Sequence, residues 1–557
     1  MALKLFMISL EALSSLTKPA YFAIALILYI LFRALYQIVL YPHVLSPLHR
    51  VPSPPLDSYL LGHFPAIMRS EAGIIQREWV KQHGPTVRAI GPVGIERLIM
   101  LKPEAQQKIL VSDWMEYPRP AFMRSILGLA AGYGLLTVTG NEHKQMRKVM
   151  NPAFSISNLM AQTDLYYDST EVLIEILNTE LSSERDLSQG KVFPIYEWMS
   201  KVTLDIICDT AFGYRSNSLR DPHNELTEAL LIGGECSGPN ISLMVLLVSI
   251  PGLPQLMNSE WGYKHRHWLS YWSLFAPAAT FIDSVYRIRK ISARILKNKI
   301  AEAQAVCLKD TVAKKDIMSL LVRARKVEEH GREEDDYKLT DEALVDQVLT
   351  FLGAGHETTA SGLSWTLWLL ANDPATQSKL RAEVSPLLER NPRPDYRSLK
   401  DLKLLDCVVM ESLRLLPPVP MTFRQAAKSD WVDGYWVPKD SCGQYVEGSL
   451  GRRRGGLPPR AVDVVVRVRT GTAGFTFMSF IAGPHACIGR TMSIVEMKAV
   501  LATLIAKFEF EPAYEGQIAK PTAAVTMKPA DNMPLLIKRV QPDVKCLRQF
   551  ELCFGRD

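Results

Sequence analysis

The sequence predicts a mainly α-helical protein with a small β portion, in which a single large domain follows an N-terminal transmembrane helix. The chain has 557 residues, of which 47% are hydrophobic, so it can bury a large core. Long segments with apolar residues at three- and four-residue steps dominate the middle of the chain, whereas strand-like runs are short and lie near its two ends. The third observation is an apolar stretch of about twenty residues close to the N-terminus.

This apolar stretch reads AYFAIALILYILFRALYQIVLYP from Ala20, and only Arg33 and Gln37 interrupt it. At a rise of about 1.5 Å per residue, it is long enough to cross a bilayer. A cleaved signal peptide and a buried core helix are the alternatives, although prolines rather than a small-residue cleavage site follow the stretch. We therefore predict a membrane anchor over residues 1–45 and a globular domain over residues 46–540.

Apolar periodicity predicts five long helices in the globular domain. They span approximately Leu159–Leu181, Ile195–Phe212, Ile282–Ala305, Thr340–Ala371 and Asp401–Leu416. Strands are expected in PTVRAIGPVGIERLIML, which begins at Pro85. The eight cysteines lie far apart and form no CxxC pair, so we expect mostly free thiols in a reducing compartment.

One cysteine directly precedes a helical pattern, in FIAGPHACIGRTMSIVEMKAVLATLIAKF from Phe480. The positive end of the helix dipole and its free N–H groups favour the thiolate of Cys487. Gly483 and Gly489, on either side, allow the backbone to approach a flat ligand closely. A lone cysteine near a helix is more often a small buried hydrophobe, so this pattern alone leaves both interpretations open.

The spacing Phe480-x-x-Gly483-x-His485-x-Cys487-x-Gly489 resembles the haem-thiolate loop of the cytochrome P-450 family. The resemblance covers nearly everything after the anchor. It implies the cytochrome P-450 fold and a haem b whose iron has Cys487 as its axial ligand, with the other four residues binding the cofactor. His485 departs from the pattern, because the family usually has arginine there. The implied role is a contact to a haem propionate. Unlike arginine, a histidine there carries a positive charge only when its ring is protonated, and this changes near neutral pH.

A second matching motif is FLGAGHETTASG, which lies inside a predicted helix. Glycine in a helix interior destabilises the helix by about 0.5–1 kcal/mol relative to alanine, so the presence of Gly355 requires an explanation. The resemblance implies a local groove that holds dioxygen, with Thr358 and Glu357 managing proton delivery. The alternative is a packing glycine beside ordinary polar residues of the helix surface.

Two further segments match the family in the expected order. In ESLRLLPPVPMTFR, Glu411 and Arg414 stand three residues apart on one helix face, and the resemblance implies a buried structural ion pair. Arg424 matches an arginine that binds a haem propionate. In GNEHKQMRKVMNPAF, Arg147 is the implied propionate contact from another side. His143 stands where the family often has tryptophan.

The resemblance implies a monooxygenase that inserts one oxygen atom of dioxygen into an apolar small molecule. The resemblance also implies electrons from a separate NADPH-dependent flavoprotein reductase. No glycine-rich dinucleotide fingerprint follows a strand, which argues against an internal reductase. The chain resembles fungal members that act on secondary metabolites, often terpenoids, with the substrate pocket lined around Phe122–Leu136 and Ser237–Pro254.

We expect a single-pass protein of the endoplasmic reticulum membrane whose haem domain faces the cytoplasm. A peroxide-rearranging isomerase is an alternative that Glu357 and Thr358 disfavour.

The stretch from Cys442 to Gly474 does not fit the family. The family normally has a strand there and then a meander with a Phe-x-Pro-Glu-Arg motif, whose arginine joins Glu411 and Arg414 in one network. This chain instead reads GSLGRRRGGLPPRAV from Gly448, and the stretch contains six arginines and two acidic residues. These arginines contribute most of the formal net charge of +6, so the remaining chain gives no reason to expect a nucleic-acid partner.

The genetic code offers an explanation for this stretch. When a typical meander, V-V-N-T-W-K-E-A-W-G-E-D-A-E-D-F-R-P-E-R-W, is read one base early, each junction into Glu or Asp encodes Arg, Gly or a stop. Every residue from Cys442 to Val462 is compatible with that shifted reading. We predict that Ser441 to about Gly474 is out of frame through a misplaced splice boundary, with strand residues missing after Asp440. A solvated basic loop and a nucleic-acid patch are the alternatives, and the patch lacks interleaved aromatic residues.

Sequencing the transcript across the codons for Trp436 to Phe480 tests this hypothesis. We expect the meander motif to appear in frame. A transcript that encodes Arg452–Arg460 as written would contradict it. That result would favour a non-catalytic or unstable remnant, because a broken buried ionic network costs several kcal/mol of a stability of about 5–15 kcal/mol. The tail 541–557 extends past the usual end of the family, and its role is unknown.

Overall fold

The structure is a computed structural model that describes residues 18–70, 73–182, 189–221, 223–234, 247, 250, 252–305, 316–329, 340–446, 477–522 and 526–540. The tail 541–557, most of the predicted pocket segment Ser237–Pro254 and the predicted out-of-frame segment beyond Val446 lie outside these residues.

Helices make up most of the described chain, as the sequence predicts. The α-helices are α1 (Lys18–Leu35), α2 (Phe64–Arg69), α3 (Ile74–His83), α4 (Pro103–Gln107), α5 (Ala121–Ala131), α6 (Gly140–Met150), α7 (Ile156–Met160), α8 (Thr163–Ser182), α9 (Ile195–Phe212), α10 (Glu225–Gly234), α11 (Leu253–Met257), α12 (Glu260–His265), α13 (His267–Ser270), α14 (Ala276–Ala305), α15 (Ile317–Glu329), α16 (Asp341–Ala371), α17 (Pro374–Arg390), α18 (Tyr396–Asp401), α19 (Lys403–Leu415) and α20 (Arg490–Lys507). Stretches of 3₁₀ or π helix occupy Tyr36–Leu45, Pro47–Arg50, Pro92–Gly94, Lys108–Ser112, Trp114–Glu116 and Asn151–Phe154. The five long predicted helices correspond to α8, α9, α14, α16 and α19.

Nine strands form three small sheets among the described residues. They are β1 (Thr86–Ile90), β2 (Glu96–Met100), β3 (Lys191–Pro194), β4 (Met421–Gln425), β5 (Asp430–Val432), β6 (Tyr435–Val437), β7 (Cys442–Val446), β8 (Phe508–Pro512) and β9 (Pro534–Arg539). The largest sheet has the order β1-β2-β7-β4, in which only the β2–β7 pair is parallel. The others have the orders β3-β9-β8 and β5-β6.

Strand β7 lies at the start of the segment that we predict to be out of frame. We predict that residues of this strand are missing after Asp440, and the residues that stand there, Cys442–Val446, pair with β2 on one side and with all five residues of β4 on the other. The backbone of this short segment is sufficient to complete the sheet, because ladder hydrogen bonds do not depend on side-chain identity. Whatever the reading frame of the codons, the strand position is therefore filled.

The N-terminal helical segment is mostly exposed, and its last residues contact the rest of the described fold. Phe22–Leu45 forms a helical segment of 24 residues with a mean hydropathy of 2.2. Near its end, Pro42 is buried and its carbonyl accepts a hydrogen bond from Arg88. Its exposed side chains include Phe22, Leu28 and Phe32. Among the described residues, this is the one helix that is long and apolar enough to cross a membrane.

Helix α16 runs through the main hydrophobic core. Thr340 caps its N-terminus by accepting a hydrogen bond from the N–H of Ala343 (3.1 Å), and acidic residues in the first turn complement the helix dipole. Every residue from Ala360 to Ala371 is buried, as expected of a helix that is enclosed on all sides. Residues of α8, α9, α19 and α20 belong to the same core cluster. These helices hold α16 in place.

The predicted structural pair Glu411–Arg414 lies on α19. Arg414 donates two hydrogen bonds to Glu411, each of 2.6 Å, and the Glu411 side chain is 0% exposed. A bidentate arginine–carboxylate pair is among the strongest side-chain interactions, and its burial makes the loss of either partner costly.

A second buried ion pair connects helices α14 and α15. Lys299 Nζ lies 3.1 Å from Asp316 Oδ2, and both side chains are 4% exposed. Asp316 also accepts hydrogen bonds from the backbone N–H (2.8 Å) and the hydroxyl (2.7 Å) of Ser319. This carboxylate therefore both caps the start of α15 and fixes it against α14.

Lys299→Met should lower the free energy of unfolding by about 3–5 kcal/mol, because it leaves Asp316 buried without its cation. The measurement is a urea denaturation curve. The matched control is Lys264→Met, which removes an exposed i,i+4 partner of Glu260 and should cost less than about 0.5 kcal/mol. Equal losses in the two variants would contradict this account of the buried pair.

Candidate active site

Cys487 lies in a tight loop directly before helix α20. Its backbone N–H donates to the carbonyl of Phe480 (2.9 Å), and the N–H of Ala486 donates to the carbonyl of Gly483 (2.9 Å). Cys487 is exposed, whereas Cys208 and Cys407 are buried. The loop therefore presents one thiol at the positive end of a helix, where the dipole stabilises the thiolate.

Two features of this loop explain its residue types. Gly483 has φ +75, and a Cβ there would collide with the carbonyl oxygen of Leu110, so both the backbone conformation and the space require glycine. Phe480 packs beside Phe477, and the guanidinium of Arg490 lies over both rings at 5.7 and 5.9 Å. At Gly489 a Cβ would make an ordinary contact, 4.0 Å from the sulfur of Cys487.

The four basic residues predicted to face the cofactor converge beside this loop. Arg147 donates a hydrogen bond to the carbonyl of Ala486, next to Cys487. The rings of His143 and His485 lie 3.8 Å apart between their centroids. Arg424 is 2% exposed and donates to Thr422 Oγ1 (2.8 Å) and to the carbonyl of Phe423 (2.7 Å). Segments that are distant in sequence thus supply one cationic cluster.

Two further residues belong to this cluster, and the sequence analysis missed both. Trp114 lies edge-on to His143 and His485, with ring centroids 5.9 and 5.4 Å away. Arg119 acts electrostatically on both histidines, as Arg147 and Arg424 also do. Both residues lie more than 300 positions before Cys487 in a segment without helical or strand periodicity. The only local signal is the position of Arg119 between Pro118 and Pro120.

The electrostatics of the cluster favour an anionic ligand. Burial and the nearby arginines lower the pKa of His143 to about 4, and burial together with His143 and the arginines lowers that of His485 to about 2. Burial also lowers the pKa of Arg119 to about 10. Within the described chain, Arg119 and Arg147 form no ion pair with a carboxylate. The two histidines are therefore neutral, and the fixed positive charge comes from arginine.

Buried polar atoms test whether a haem fits here. His143 Nδ1 and Arg119 Nε are both buried and have no hydrogen-bond partner in the structure. Leaving such a group unsatisfied costs about 1–3 kcal/mol, more for a charged one, so an acceptor is expected to supply the missing bonds. Carboxylates are acceptors that match guanidinium and imidazole donors. The cluster therefore fits the two propionates of a haem.

The predicted oxygen-handling residues lie in the middle of helix α16. Thr358 Oγ1 donates to the carbonyl of Ala354 (2.7 Å), a bond that often bends a helix. Glu357 is partly exposed and lies 3.6 Å from the ammonium of Lys528, on the turn between β8 and β9. The carbonyl of Met527 accepts from Ser361 (2.8 Å) and from Trp365 (2.7 Å). These two bonds fix the turn against α16, so Lys528 is held beside Glu357.

Gly355 has a packing role in the structure. A Cβ at this position would lie 2.7 Å from two side-chain carbons of Ile207 on α9. The close approach of α9 to α16 therefore requires glycine, which is the alternative that the sequence analysis held open. The hydroxyl of Thr359 lies 3.3 Å from that of Ser493. Helix α16 thus also touches α20, the helix that follows Cys487.

Comparison with known proteins relates this chain to one enzyme family. The Cytochrome P450 family model matches residues 52–450 and 467–536. Cytochrome P450 monooxygenase 205 of Postia placenta is 30% identical over 532 residues, which cover 88% of this chain and 93% of that protein. Cytochrome P450 monooxygenase sphH of Aspergillus fumigatus is 27% identical, covering 93% of both chains. Ganoderic acid synthetase CYP5150L8 of Ganoderma lucidum is 29% identical, covering 89% of this chain and 94% of that protein.

Arg119→Met should raise the free energy of unfolding of the haem-free polypeptide by about 1 kcal/mol. The variant removes a charge that burial disfavours, together with an unsatisfied buried N–H. Urea denaturation measures this change, and the pKa of His143 should rise at the same time in a proton NMR titration. Arg220→Met, which removes an exposed partner of Glu175, is the control and should change stability by less than about 0.5 kcal/mol. A loss of stability in Arg119→Met would show that burial of this charge does not destabilise the haem-free protein.

Proposed function

Since the chain belongs to the cytochrome P450 family and is a monooxygenase of that family, we propose that Cys487 is the axial thiolate ligand of its haem b. The observation that carries this proposal is the exposed thiol at the start of α20, beside three arginines and two neutral histidines. Arg119, Arg147 and Arg424 supply charge to the propionates, and His143 and His485 supply further donors. Phe480, Gly483 and Gly489 shape the loop so that a flat ring approaches its backbone.

The haem supplies the activation of dioxygen when it is bound, and the residues of the chain control protons and substrate position around it. We assign proton delivery to Glu357 and Thr358. Glu357 is partly exposed and can exchange protons with solvent, whereas the hydroxyl of Thr358 donates to Ala354 and retains lone pairs that accept a further hydrogen bond. Lys528 restrains the carboxylate of Glu357 by charge. The carboxylate of Glu357 can therefore turn toward Thr358 only after its contact with Lys528 breaks.

The substrate proposed is an apolar small molecule of secondary metabolism, such as a terpenoid. The name of the ganoderic acid synthetase and the fungal origin of the relatives support this class. Electrons are proposed to come from a separate NADPH-dependent flavoprotein reductase, as is usual for the anchored members of the family. We further propose that Phe22–Leu45 spans the endoplasmic reticulum membrane once and that the haem domain faces the cytoplasm.

The out-of-frame hypothesis remains part of the proposal for residues 441–474. The family match includes residues 441–450 and 467–474 of this segment and leaves out residues 451–466, which hold four of its six arginines. This gap supports the hypothesis for the central part of the segment. The pair Glu411–Arg414 is ready to accept the meander arginine that an in-frame transcript would supply. The same observation favours a second candidate, a non-catalytic or unstable remnant, if the transcript encodes the stretch as written.

Cys487→Ala tests the ligand assignment. After reduction and treatment with carbon monoxide, the wild-type protein should show the absorption band of a thiolate-ligated haem, and the variant should lack it because alanine has no ligand atom. The matched control is Cys208→Ala, which removes a buried thiol on α9 and should keep the band. A Cys487→Ala variant that retains the thiolate band would rule out the assignment.

A further inference from the structure

Helix α20 carries a buried carboxyl group that the proposed mechanism does not use. Glu496 follows Cys487 by nine residues and is 2% exposed. Its Oε1 atom is buried without a hydrogen-bond partner, and its side chain forms no ion pair with any described residue. Its neighbours Val495 and Met497 are also buried. This carboxyl group has therefore lost its hydration and gained neither a hydrogen bond nor a cation in return.

A second buried polar group without a partner lies on helix α8, which packs against α20. Tyr166 is 0% exposed, and its hydroxyl oxygen has no hydrogen-bond partner among the described residues. Burial raises the pKa of Tyr166, and the charge that Glu496 would carry raises it further, so the two groups lie within electrostatic range of each other. The interface between α8 and α20 thus contains two unsatisfied groups, one from each helix.

No described cation compensates Glu496 from the other elements that pack against α20, which are α16, α17, α18, α19 and β8. Lys498 lies about 200° around the helix from Glu496, and it pairs with Asp406 of α19 (2.8 Å). Arg381 of α17 donates to two backbone carbonyls at the C-terminal end of α20 (2.9 and 3.0 Å). Burial raises the pKa of Glu496 well above its usual range, and no charged group opposes this effect. The fold therefore accommodates the neutral acid.

We propose that Glu496 and Tyr166 form a pH-sensitive joint between α8 and α20, which is closed while Glu496 is a neutral acid and opens when Glu496 loses its proton to solvent. A neutral acid can rotate to donate its O–H to the phenol oxygen, an acceptor that has no other partner. A carboxylate without a cation is too costly to keep among apolar side chains, so water must enter between the two helices to hydrate it.

The joint acts on the Cys487 loop through helix α20. This helix begins at Arg490, three residues after Cys487, and Glu496 lies about two turns into it. Water that enters beside Glu496 shifts these turns and so displaces the loop, which makes Glu496 a positioning residue for the thiol. This consequence rests on the proposed role of Cys487 as the haem ligand. The effect of Glu496 on folding stability does not.

The first test is urea denaturation of the full chain, wild type against Glu496→Gln, at about pH 5.5 and about pH 7.5, both above the pKa of about 4.3 of a glutamate in an unfolded chain. Between that value and the raised pKa of Glu496, the folded protein binds one proton more than the unfolded chain, so its folding constant falls about tenfold per pH unit. Relative to Glu496→Gln, the folding constant of the wild type should therefore fall at least about tenfold between the two pH values.

Two variants complete this test. Glu260→Gln removes an exposed carboxylate that pairs with Lys264, and its pH dependence should equal that of the wild type. Tyr166→Phe should lower the folding constant about fivefold at the lower pH, which is the contribution of one hydrogen bond. An increase instead would mean that the phenol stays unsatisfied, and this would overturn the pairing. Equal pH dependence in wild type and Glu496→Gln would overturn the joint.

The second test follows the loop itself through the absorption band of the reduced protein treated with carbon monoxide. On incubation at alkaline pH, the wild type should lose the thiolate band faster than at neutral pH, and Glu496→Gln should lose it more slowly than the wild type. Equal rates of loss in the two proteins would overturn the coupling of the joint to Cys487. If the wild type lacks the band at neutral pH, the proposed function fails, and the urea measurement still decides whether the joint exists.

Discussion

Three guanidinium groups and one thiol lie together at the start of helix α20, and no described carboxylate pairs with Arg119 or Arg147. This arrangement is unfavourable for the polypeptide alone, because burial lowers the pKa of Arg119, and burial together with the arginines lowers the pKa of the two histidines. Burial also strengthens the attraction of the arginines for an anion. A negatively charged ligand should therefore stabilise the arrangement, and the rest of the site is organised around it.

The fold supplies the rigidity that this arrangement requires. Helix α16 is enclosed by α8, α9, α19 and α20, and it contacts α20 through Thr359 and Ser493. This contact connects the residues that we propose to handle protons with the Cys487 loop. The close approach of α9 at Gly355 and the docking of Met527 on Ser361 and Trp365 restrain α16 from two further sides. A helix held in this way keeps Glu357 and Thr358 at fixed positions while the carboxylate of Glu357 remains restrained by Lys528.

Much of the fold was predictable because long helices leave a strong periodic signal. Ile195–Phe212 was predicted with the bounds that the structure has, and Thr340–Ala371 was displaced by one residue at its start. The basic residues matching the family's motifs, His143, Arg147, Arg424 and His485, do converge in the structure. Arg119 and Trp114 were missed because they come from an irregular segment whose placement depends on tertiary packing. Lys528 was missed for the same reason, since its contact with Glu357 exists only after the turn has docked on α16.

The central claim is that the cluster beside Cys487 exists to bind the two carboxylates of the haem. The most direct measurement is a comparison of two ligands, haem and haem dimethyl ester, titrated into the haem-free protein at neutral pH. They share the same iron and ring and differ in the charge of the two propionates. The account predicts that haem binds about tenfold or more tightly than the ester, because charge-assisted hydrogen bonds to three arginines are lost. Equal affinities for haem and its dimethyl ester would contradict it, because they would show that the positive charge of the cluster does not contribute to cofactor binding.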